Sequence, residues 1–429
     1  MNDMNSNSPN SLKLGGVRLA LMAGLATQQM FAGQPVLMDQ PAVATESQWS
    51  QADNLNSPLQ VFQPFDQAER NSLPQPFTLG PVVVRPHPFY RVTYGSGIQN
   101  GTNNPQDTVI QEFSPGVSVD FGKHWTADYT PTFRFYGNNQ FRDSVDHAAS
   151  VSGGTRVDDW RFGFTQTFSL TMSPLAETGA QTEQESYVTS LSAGWAINHK
   201  VSADFGLVQN LNFVTGLQNS KTWSTLDWLN YQFYERLSVG VGLGGGYVNI
   251  ENPASPDQTF EQAQLRVQWR ATDKLSLSVN GGLEDRQFIH APGLEDSLNP
   301  IFGASIQYQP FQHTQITLGA SRAVSSSDYF IISQSTETTT VSLNFNQRLL
   351  EQFYLDLGVG YTKTEFVTAL GPFAINRSDD NYSFNARLSR GFLKRGNVSV
   401  TYQYGDHQSS LAGFTFQSSQ VGFEVGFSY

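Results

Sequence analysis

The chain has 429 residues, of which only 14% are charged and 13% are aromatic, and its formal net charge is −12. Soluble domains carry about 25% charged residues, so an ordinary soluble protein is disfavoured, and the acidic balance argues against nucleic acid, which needs a basic face. The absence of cysteine excludes disulfide scaffolds, cysteine zinc sites, thiol catalysis and cysteine-linked lipid anchors.

Residues 1–32 have the features of a secretory signal peptide. Two basic residues precede the apolar segment 19–26, and small residues stand at the candidate cleavage positions Ala26 and Ala32. A disordered start with a chance apolar patch is the alternative. No other segment approaches the roughly 18 apolar residues of a membrane helix, so a membrane location requires strands.

Residues 33–85 form a segment rich in Gln, Pro, Asn, Ser and Asp, in which repeated prolines break any long periodicity. This composition is typical of a flexible periplasmic arm. Alternatively, part of the segment folds into the lumen of a barrel as a plug. The apolar run 79–84 is a candidate for a short strand that leads into the next region.

Over residues 86–429, apolar and polar residues alternate with a period of two. In one clear example, Phe353, Leu355 and Leu357 alternate with polar residues such as Asp356. Each alternating run lasts nine to thirteen residues, which fits tilted strands that cross a bilayer. The pattern predicts an all-β fold, a transmembrane antiparallel up-and-down β-barrel of about 18 strands, with 16 strands as the alternative.

Tight polar turns, such as those at 235–236 and 272–274, alternate along the chain with longer loops. Short periplasmic turns and longer extracellular loops are typical of outer-membrane barrels, and an even strand number leaves both chain ends on the periplasmic side. The alternation is weakest near residues 149 and 319. The longer loops are expected at 97–108, 137–143, 251–258, 290–298 and 367–380.

The last predicted strand is the sharpest local signal, because Phe423, Val425, Phe427 and Tyr429 alternate with small or polar residues. It resembles the C-terminal recognition strand of bacterial outer-membrane proteins, which implies that the barrel-assembly machinery reads it. An ordinary terminal strand of a soluble sheet is the alternative. Aromatic residues near strand ends are expected to form an interfacial girdle; they are Trp125, Trp160, Trp195, Trp269, Tyr308 and Tyr429.

With these features in place, residues 86–429 resemble the bacterial outer-membrane family described as putative beta-barrel porin type 2, some members of which are encoded with exopolysaccharide genes. The matching features are the early segment RPHPFYRVTYGSGIQNG, the evenly spaced hairpins and the aromatic end VGFEVGFSY. The resemblance implies passage or export without naming a solute, and it supplies no catalytic residues.

The polar face of the predicted strands is expected to line the lumen, and a barrel of this size leaves an aqueous channel unless it is plugged. Arg266, Arg270 and Arg286 could form a basic ladder that favours anions or anionic saccharides. Alternatively, the basic residues pair with acidic ones such as Asp204 and Asp227 and only keep the lumen hydrated. The charged lumen candidates are Arg91, Glu112, Asp120, Asp128, Arg134, Arg161, Asp204, Arg266, Arg270, Glu284, Arg286, Asp356 and Arg387.

The glycine-rich segment 237–247 keeps a period of two and is followed by no amphipathic helix, so it predicts a strand and not a phosphate-binding loop. Its glycines are expected to open space on the lumen side for a loop or the arm. The seven histidines show no helical metal-binding spacing, and no Ser, His and Asp arrangement stands out. No catalytic site, metal site or cofactor is therefore predicted.

The leading functional hypothesis is a porin-like channel in the outer membrane of a Gram-negative-type bacterium, passing small hydrophilic solutes or saccharides. The alternatives are an exopolysaccharide export barrel, a closed structural or enzymatic barrel, and a soluble periplasmic all-β protein. The low charge and the aromatic last strand disfavour the soluble protein. The expected partners are outer-membrane lipid and lipopolysaccharide, the barrel-assembly machinery, and small solutes or saccharides, with no nucleic acid.

Overall fold

A computed structural model describes residues 77–100, 104–122, 124–174, 180–251, 255–289, 296–326, 335–350, 352–367, 377–392 and 395–428. The predicted signal peptide, most of the proline-rich segment and Tyr429 lie outside these ranges. Within them every helix or strand assigned is a β-strand, and no helix is long and apolar enough to cross a membrane.

The described residues form nineteen strands that follow one another along the chain. Their bounds are β1 Phe77–Leu79, β2 Val82–Gln99, β3 Pro105–Phe121, β4 Trp125–Tyr136, β5 Ser144–Val157, β6 Trp160–Pro174, β7 Gln181–Ala196, β8 Val201–Val214, β9 Ser220–Tyr234, β10 Leu237–Ile250, β11 Gln258–Thr272, β12 Leu275–Phe288, β13 Ser297–Phe311, β14 Thr314–Ser326, β15 Ser335–Leu349, β16 Phe353–Val367, β17 Arg377–Phe392, β18 Gly396–Ser409 and β19 Phe416–Phe427.

Strands β2 to β19 form a closed antiparallel barrel of 18 strands, in which each strand pairs with the next. The barrel closes between β19 and β2, where Phe423 lies opposite Val92. Closure pairs the two strand edges that an open sheet would leave exposed to lipid. The up-and-down barrel and the count of 18 are confirmed, and the alternative of 16 strands is wrong.

The short strand β1 lies outside the barrel order. It pairs with residues 82–84 at the start of β2. The described pairing of β2 with β19 begins at Phe89, so residues 82–88 of β2 lie beyond it. The strand β1 covers part of this edge by pairing with residues 82–84. The apolar run 79–84 thus contributes to two strands, and β2 begins four residues before residue 86, where the sequence placed the barrel boundary.

The connections differ in length at the two ends of the barrel. At one end they contain two to four residues, and at the other end five to nine. The strands contain 12 to 18 residues in the barrel, more than the alternating runs predicted, because the hydrogen-bonded ladder continues beyond the apolar part of each strand. The loop expected at 367–380 is therefore shorter, and Asp379 and Asp380 lie in β17 and not at a loop tip.

The two faces of the wall differ as the period of two requires. On β10 and β11, Leu243 and Leu265 point outward and are 64% and 61% exposed, whereas Gln262 and Gln264 are buried on the opposite face. We call the apolar face the outer wall and the polar face the inner wall. An apolar outer face is what lipid requires, and polar side chains are then left for the lumen.

Two rows of aromatic side chains border the apolar band of the outer wall. At the short-turn edge Trp160 and Trp195 stack with ring centroids 5.3 Å apart, and at the other edge Trp223 and Tyr247 stack at 6.1 Å. On β7, Tyr187 belongs to the row at the long-loop edge, and it precedes Trp195, in the row at the short-turn edge, by eight residues. At ~3.4 Å per residue this is about 27 Å along the strand, or about 21 Å in height for a tilt of about 40°. Such a band suits a bilayer.

The register also places residues of the predicted aromatic girdle on the outer wall. They are Trp125, Trp160, Trp195, Trp269 and Tyr308.

Candidate functional site: the inner wall

The register places every predicted lumen candidate on the inner wall. Cross-strand partners in antiparallel strands share a face, so the chain of pairings from Arg91 around the barrel fixes the orientation of each. The candidates that these pairings place on the inner wall include Arg134, Arg161, Asp204, Arg266, Arg270, Glu284, Arg286, Asp356 and Arg387. Their contacts divide them among a row of paired charges near the barrel closure and separate clusters around Arg266 and Arg286.

Charged side chains of alternating sign cross the strands on one side of the closure. Glu112 of β3 forms ion pairs with Arg91 of β2 and with Arg134 of β4, the latter 3.0 Å from Nε to Oε1. Arg134 Nη1 also lies 2.9 Å from Oδ2 of Asp146 on β5. These side chains are at most 10% exposed, so they neutralise one another away from bulk water.

The row continues on the other side of the closure. Glu424 of β19 is the register partner of Arg91 and accepts a hydrogen bond from Arg387 of β17 at 2.7 Å. Asp356 on β16 lies opposite Arg387 and accepts a hydrogen bond from Asn346 at 2.6 Å. We define the seam belt as Asp146, Arg134, Glu112, Arg91, Glu424 and Arg387. Its three bases oppose three acids, so it adds no net charge to the lumen.

The glycines of β10 face large side chains from the neighbouring strands. A Cβ at Gly242 would lie 2.8 Å from the ring of Trp228, and one at Gly246 would lie 2.4 Å from the ring of Phe260. The space left by these glycines is therefore filled by side chains of β9 and β11. The expectation that this space receives a loop or the arm is wrong for these positions.

The two rings carry two of the predicted arginines. The guanidinium of Arg266 lies 4.2 Å from the ring centre of Trp228, within the range of a cation–π contact. Arg266 Nη2 donates hydrogen bonds to Asn230 Oδ1 at 2.6 Å and to Asp204 Oδ2 at 3.1 Å. Among the described residues its Nη1 has no hydrogen-bond partner, although the side chain is only 6% exposed.

Arg286 is held in a separate cluster. It lies 5.2 Å from the ring centre of Phe260 and donates to Glu284 Oε1 at 2.8 Å and to Gln258 Oε1 at 2.9 Å. Arg286 is the register partner of Phe260, six positions from Arg266 on β11, which is a separation of about 20 Å. Arg266 and Arg286 therefore belong to separate paired clusters and do not form a continuous ladder.

Asp227, which the sequence offered as a lumen partner for the basic residues, lies on the outer wall. It is the register partner of the exposed Leu243 and stands midway between Tyr231 and Trp223 on β9. Its Oδ1 accepts hydrogen bonds from the backbone N–H of Gly206 and from Thr225 Oγ1, both at 3.2 Å. The pairing role expected of Asp227 is therefore wrong, because alternating faces put it outside.

A cavity of about 470 Å³ opens on the inner wall at the short-turn end of β6 to β14. We call it the mouth pocket. Four predicted candidates line it: Arg161, Asp204, Arg266 and Arg270. The sequence predicted that these residues face inward, but it did not predict that they share one cavity. The alternation of apolar and polar residues gives the face of each residue and does not give the register between strands.

Several contributors to the inner wall were missed by the sequence. Glu424 pairs with Arg387 across 37 positions, and it was not among the predicted lumen residues. Trp228 and Phe260 are apolar residues on the polar face. Among the described residues, no group of three or more His, Asp or Glu side chains is placed to hold a metal ion.

A closed 18-strand barrel with an apolar outside and a polar inside resembles the outer-membrane porins. Residues 265–429, from β11 to the last residue, match the family model described as Putative beta-barrel porin 2. The expected family resemblance is confirmed over this segment. A search of curated protein sequences found no match to the chain.

Solved structures with a similar fold include outer-membrane receptors and channels. The siderophore receptor PirA from Pseudomonas aeruginosa is 11% identical, with a TM-score of 0.41 over 81% of this chain and 80% of that chain. OpdK from Pseudomonas aeruginosa, solved with vanillate, is 13% identical, with a TM-score of 0.43 over 81% and 99%. OccAB3 from Acinetobacter baumannii is 9% identical, with a TM-score of 0.44 over 81% and 99%.

Proposed function

We propose that the protein is a porin-like channel of the outer membrane that lets small hydrophilic solutes or saccharides pass. The observation that carries this proposal is the predominantly polar inner wall of a closed 18-strand barrel. Barrels of 16 to 18 strands enclose an aqueous lumen of a width that side chains alone do not fill. No catalytic role is part of this proposal.

The lengths of the connections support an open lumen. The longest connection between successive barrel strands has nine residues. Nine extended residues span at most about 30 Å, and both ends of a connection are fixed to adjacent strands, so it reaches about 15 Å at most. The 76 residues before β1 form a far longer segment than any connection between barrel strands, so they are the segment to remove when obstruction of the lumen is tested.

We further propose that the barrel is inserted into the outer membrane and contacts lipid and lipopolysaccharide through its outer wall. Phe423 and Val425 of β19 point outward, as a strand read by the barrel-assembly machinery would require.

Swelling of protein-containing liposomes in glucose and in larger neutral saccharides tests the proposal. We expect rapid swelling in glucose and a decline with saccharide size, as a water-filled pore requires. A variant lacking residues 33–76, which leaves β1 intact, shows whether the proline-rich segment obstructs the pore. A folded full-length barrel and a folded shortened barrel that both fail to admit glucose would contradict a porin and favour a closed structural barrel.

Export of an exopolysaccharide through the same lumen is the alternative function. It predicts that an extended acidic or neutral polysaccharide threads the full-length barrel, whereas a porin excludes solutes by size. Retention of a polysaccharide of high molecular mass inside the liposomes therefore favours the porin.

A further inference from the structure

The mouth pocket concentrates positive charge in a chain whose formal net charge is −12. Its inner-wall residues include Arg161, Arg266 and Arg270 against a single acid, Asp204. The rim contributes three further bases and two acids, with one histidine; these are Lys200, Arg236, Lys274, Glu235, Asp273 and His199. Bases therefore exceed acids on the wall and on the rim.

Some of these bases already have a hydrogen-bond or ion-pair partner. Arg266 is paired with Asp204, Arg236 with Asp273 at 2.9 Å, and Lys274 Nζ donates to the carbonyl oxygen of Pro310 at 2.7 Å. Asp204 and Asp273 are used in these contacts, so Glu235 is the one further acid of the pocket lining that faces the remaining bases.

Within the described part of the chain, the side chains of Arg161, Lys200 and Arg270 form no hydrogen bond or ion pair. Arg161 extends over Gly194, where a Cβ would lie 3.1 Å from Nη2 and 3.5 Å from Asp204 Oδ1. The missing side chain at this glycine thus gives the guanidinium its space beside the pocket.

The buried Nη1 of Arg266 is a second indication of a ligand. The guanidinium is fixed by Asp204, Asn230 and Trp228, yet no described residue supplies an acceptor to this nitrogen, and the side chain is 6% exposed. A buried donor without a partner is costly, so an acceptor supplied by a bound solute would be favourable.

The remaining lining selects for hydroxyl groups. Hydroxyl and amide side chains can donate and accept hydrogen bonds, which suits a solute with several hydroxyls. Arginine pairs with carboxylate through two parallel hydrogen bonds. The uncharged polar residues of the pocket include Ser202, Asn230, Gln232, Gln268, Ser276 and Gln307.

We propose that the mouth pocket is a binding site for a small anionic solute rich in hydroxyl groups, of the chemical class of sugar acids. Arg161 and Arg270 supply the free positive charges, Arg266 Nη1 supplies a fixed donor, and the amide and hydroxyl side chains contact the hydroxyls. This inference rests on the proposed channel function, since the solute would meet the pocket while it crosses the lumen.

Isothermal titration of the full-length barrel in detergent with glucuronate and with glucose tests the site. We expect glucuronate to bind at least tenfold more tightly than glucose, and added salt to weaken only glucuronate. The double variant Arg161→Gln/Arg270→Gln should weaken glucuronate binding at least tenfold without affecting folding, because neither side chain has a partner to lose.

The matched control is Arg348→Gln, which removes the same charge from the inner wall. Arg348 lies near the short-turn end of β15 and does not line the pocket. It should leave glucuronate binding within about twofold of the wild type, because Arg348 does not line the pocket and salt screens charges that do not contact the solute. Equal affinity for the two sugars, no binding by the folded wild type, or an equal loss in the control would overturn the inference. Liposome swelling is scored separately: swelling without glucuronate binding refutes the site alone, and binding without swelling refutes the channel.

Discussion

Gly242 occupies a position on the inner wall where a larger side chain has no room, because a Cβ would lie 2.8 Å from the Trp228 ring. We expect Gly242→Ala to displace this ring together with Arg266 and to lower the free energy of unfolding by about 1–3 kcal/mol. Urea unfolding in lipid vesicles, followed by tryptophan fluorescence, measures the change. Gly281→Ala is the control, because its Cβ would have no neighbour closer than 3.6 Å. Equal losses in both variants would contradict the packing described.

Substitutions of Asp227 test which face of β9 points outward. Asparagine would keep an acceptor for the N–H of Gly206 and would remove a charge from the outer wall, which the proposed function places in lipid. We therefore expect Asp227→Asn to unfold in vesicles no more easily than the wild type. Asp227→Ala, which loses the acceptor, should be less stable than Asp227→Asn by about 1–3 kcal/mol. A large loss in the asparagine variant would instead indicate a buried ion pair on the inner wall.

At the scale of the strands, the seam belt links β2 to β5 and connects them to β17 and β19. Glu112 is central to it, since it pairs with both Arg91 and Arg134 and is 3% exposed. We expect Glu112→Gln to lower the free energy of unfolding by about 3–5 kcal/mol, because it leaves buried arginine charge uncompensated.

The control for this prediction is an ion pair in water. Asp273 is 84% exposed and pairs with Arg236 at the short-turn end, so Asp273→Asn should change the free energy of unfolding by less than about 1 kcal/mol. Vesicle unfolding of both variants provides the comparison. If the two substitutions cost the same, the seam belt does not stabilise the closure.

The strands were predictable from the sequence because lipid demands apolar side chains at every second position. The predicted count of 18 barrel strands matches the structure, even though the alternation is weak near residue 149 in β5 and residue 319 in β14. The face of β9 was less evident, since Trp223 and Leu229 point outward while Leu226 and Trp228 point inward. Apolar residues on both faces hide the period, which is why Asp227 was assigned to the wrong side.

The clusters of the inner wall could not be predicted, because they depend on register between distant strands. Arg266 was identified as inward-facing, but its partner Asp204 is 62 positions away and its ring support, Trp228, belongs to another strand. A periodic pattern gives the face of a residue and not its neighbours, so it left both the ladder and the paired arrangement open.

At the scale of the whole molecule, the described inner wall is neutral at the seam belt and basic at the mouth pocket. We expect the channel to prefer anions, and Arg161→Gln/Arg270→Gln to reduce this preference. The reversal potential under a potassium chloride gradient measures it. Arg322→Gln is the control, because Arg322 lies on the outer wall opposite Thr339 and should not alter selectivity. A cation-selective wild type would contradict the charge distribution.

The central claim is that the barrel encloses an open aqueous lumen, and single-channel recording of the full-length protein in a planar bilayer tests it most directly. The account predicts stable, ohmic conductance steps, because a closed wall of 18 strands with polar side chains inside leaves a water-filled path. A folded, heat-modifiable barrel that inserts but gives no steps, with or without residues 33–76, would contradict it.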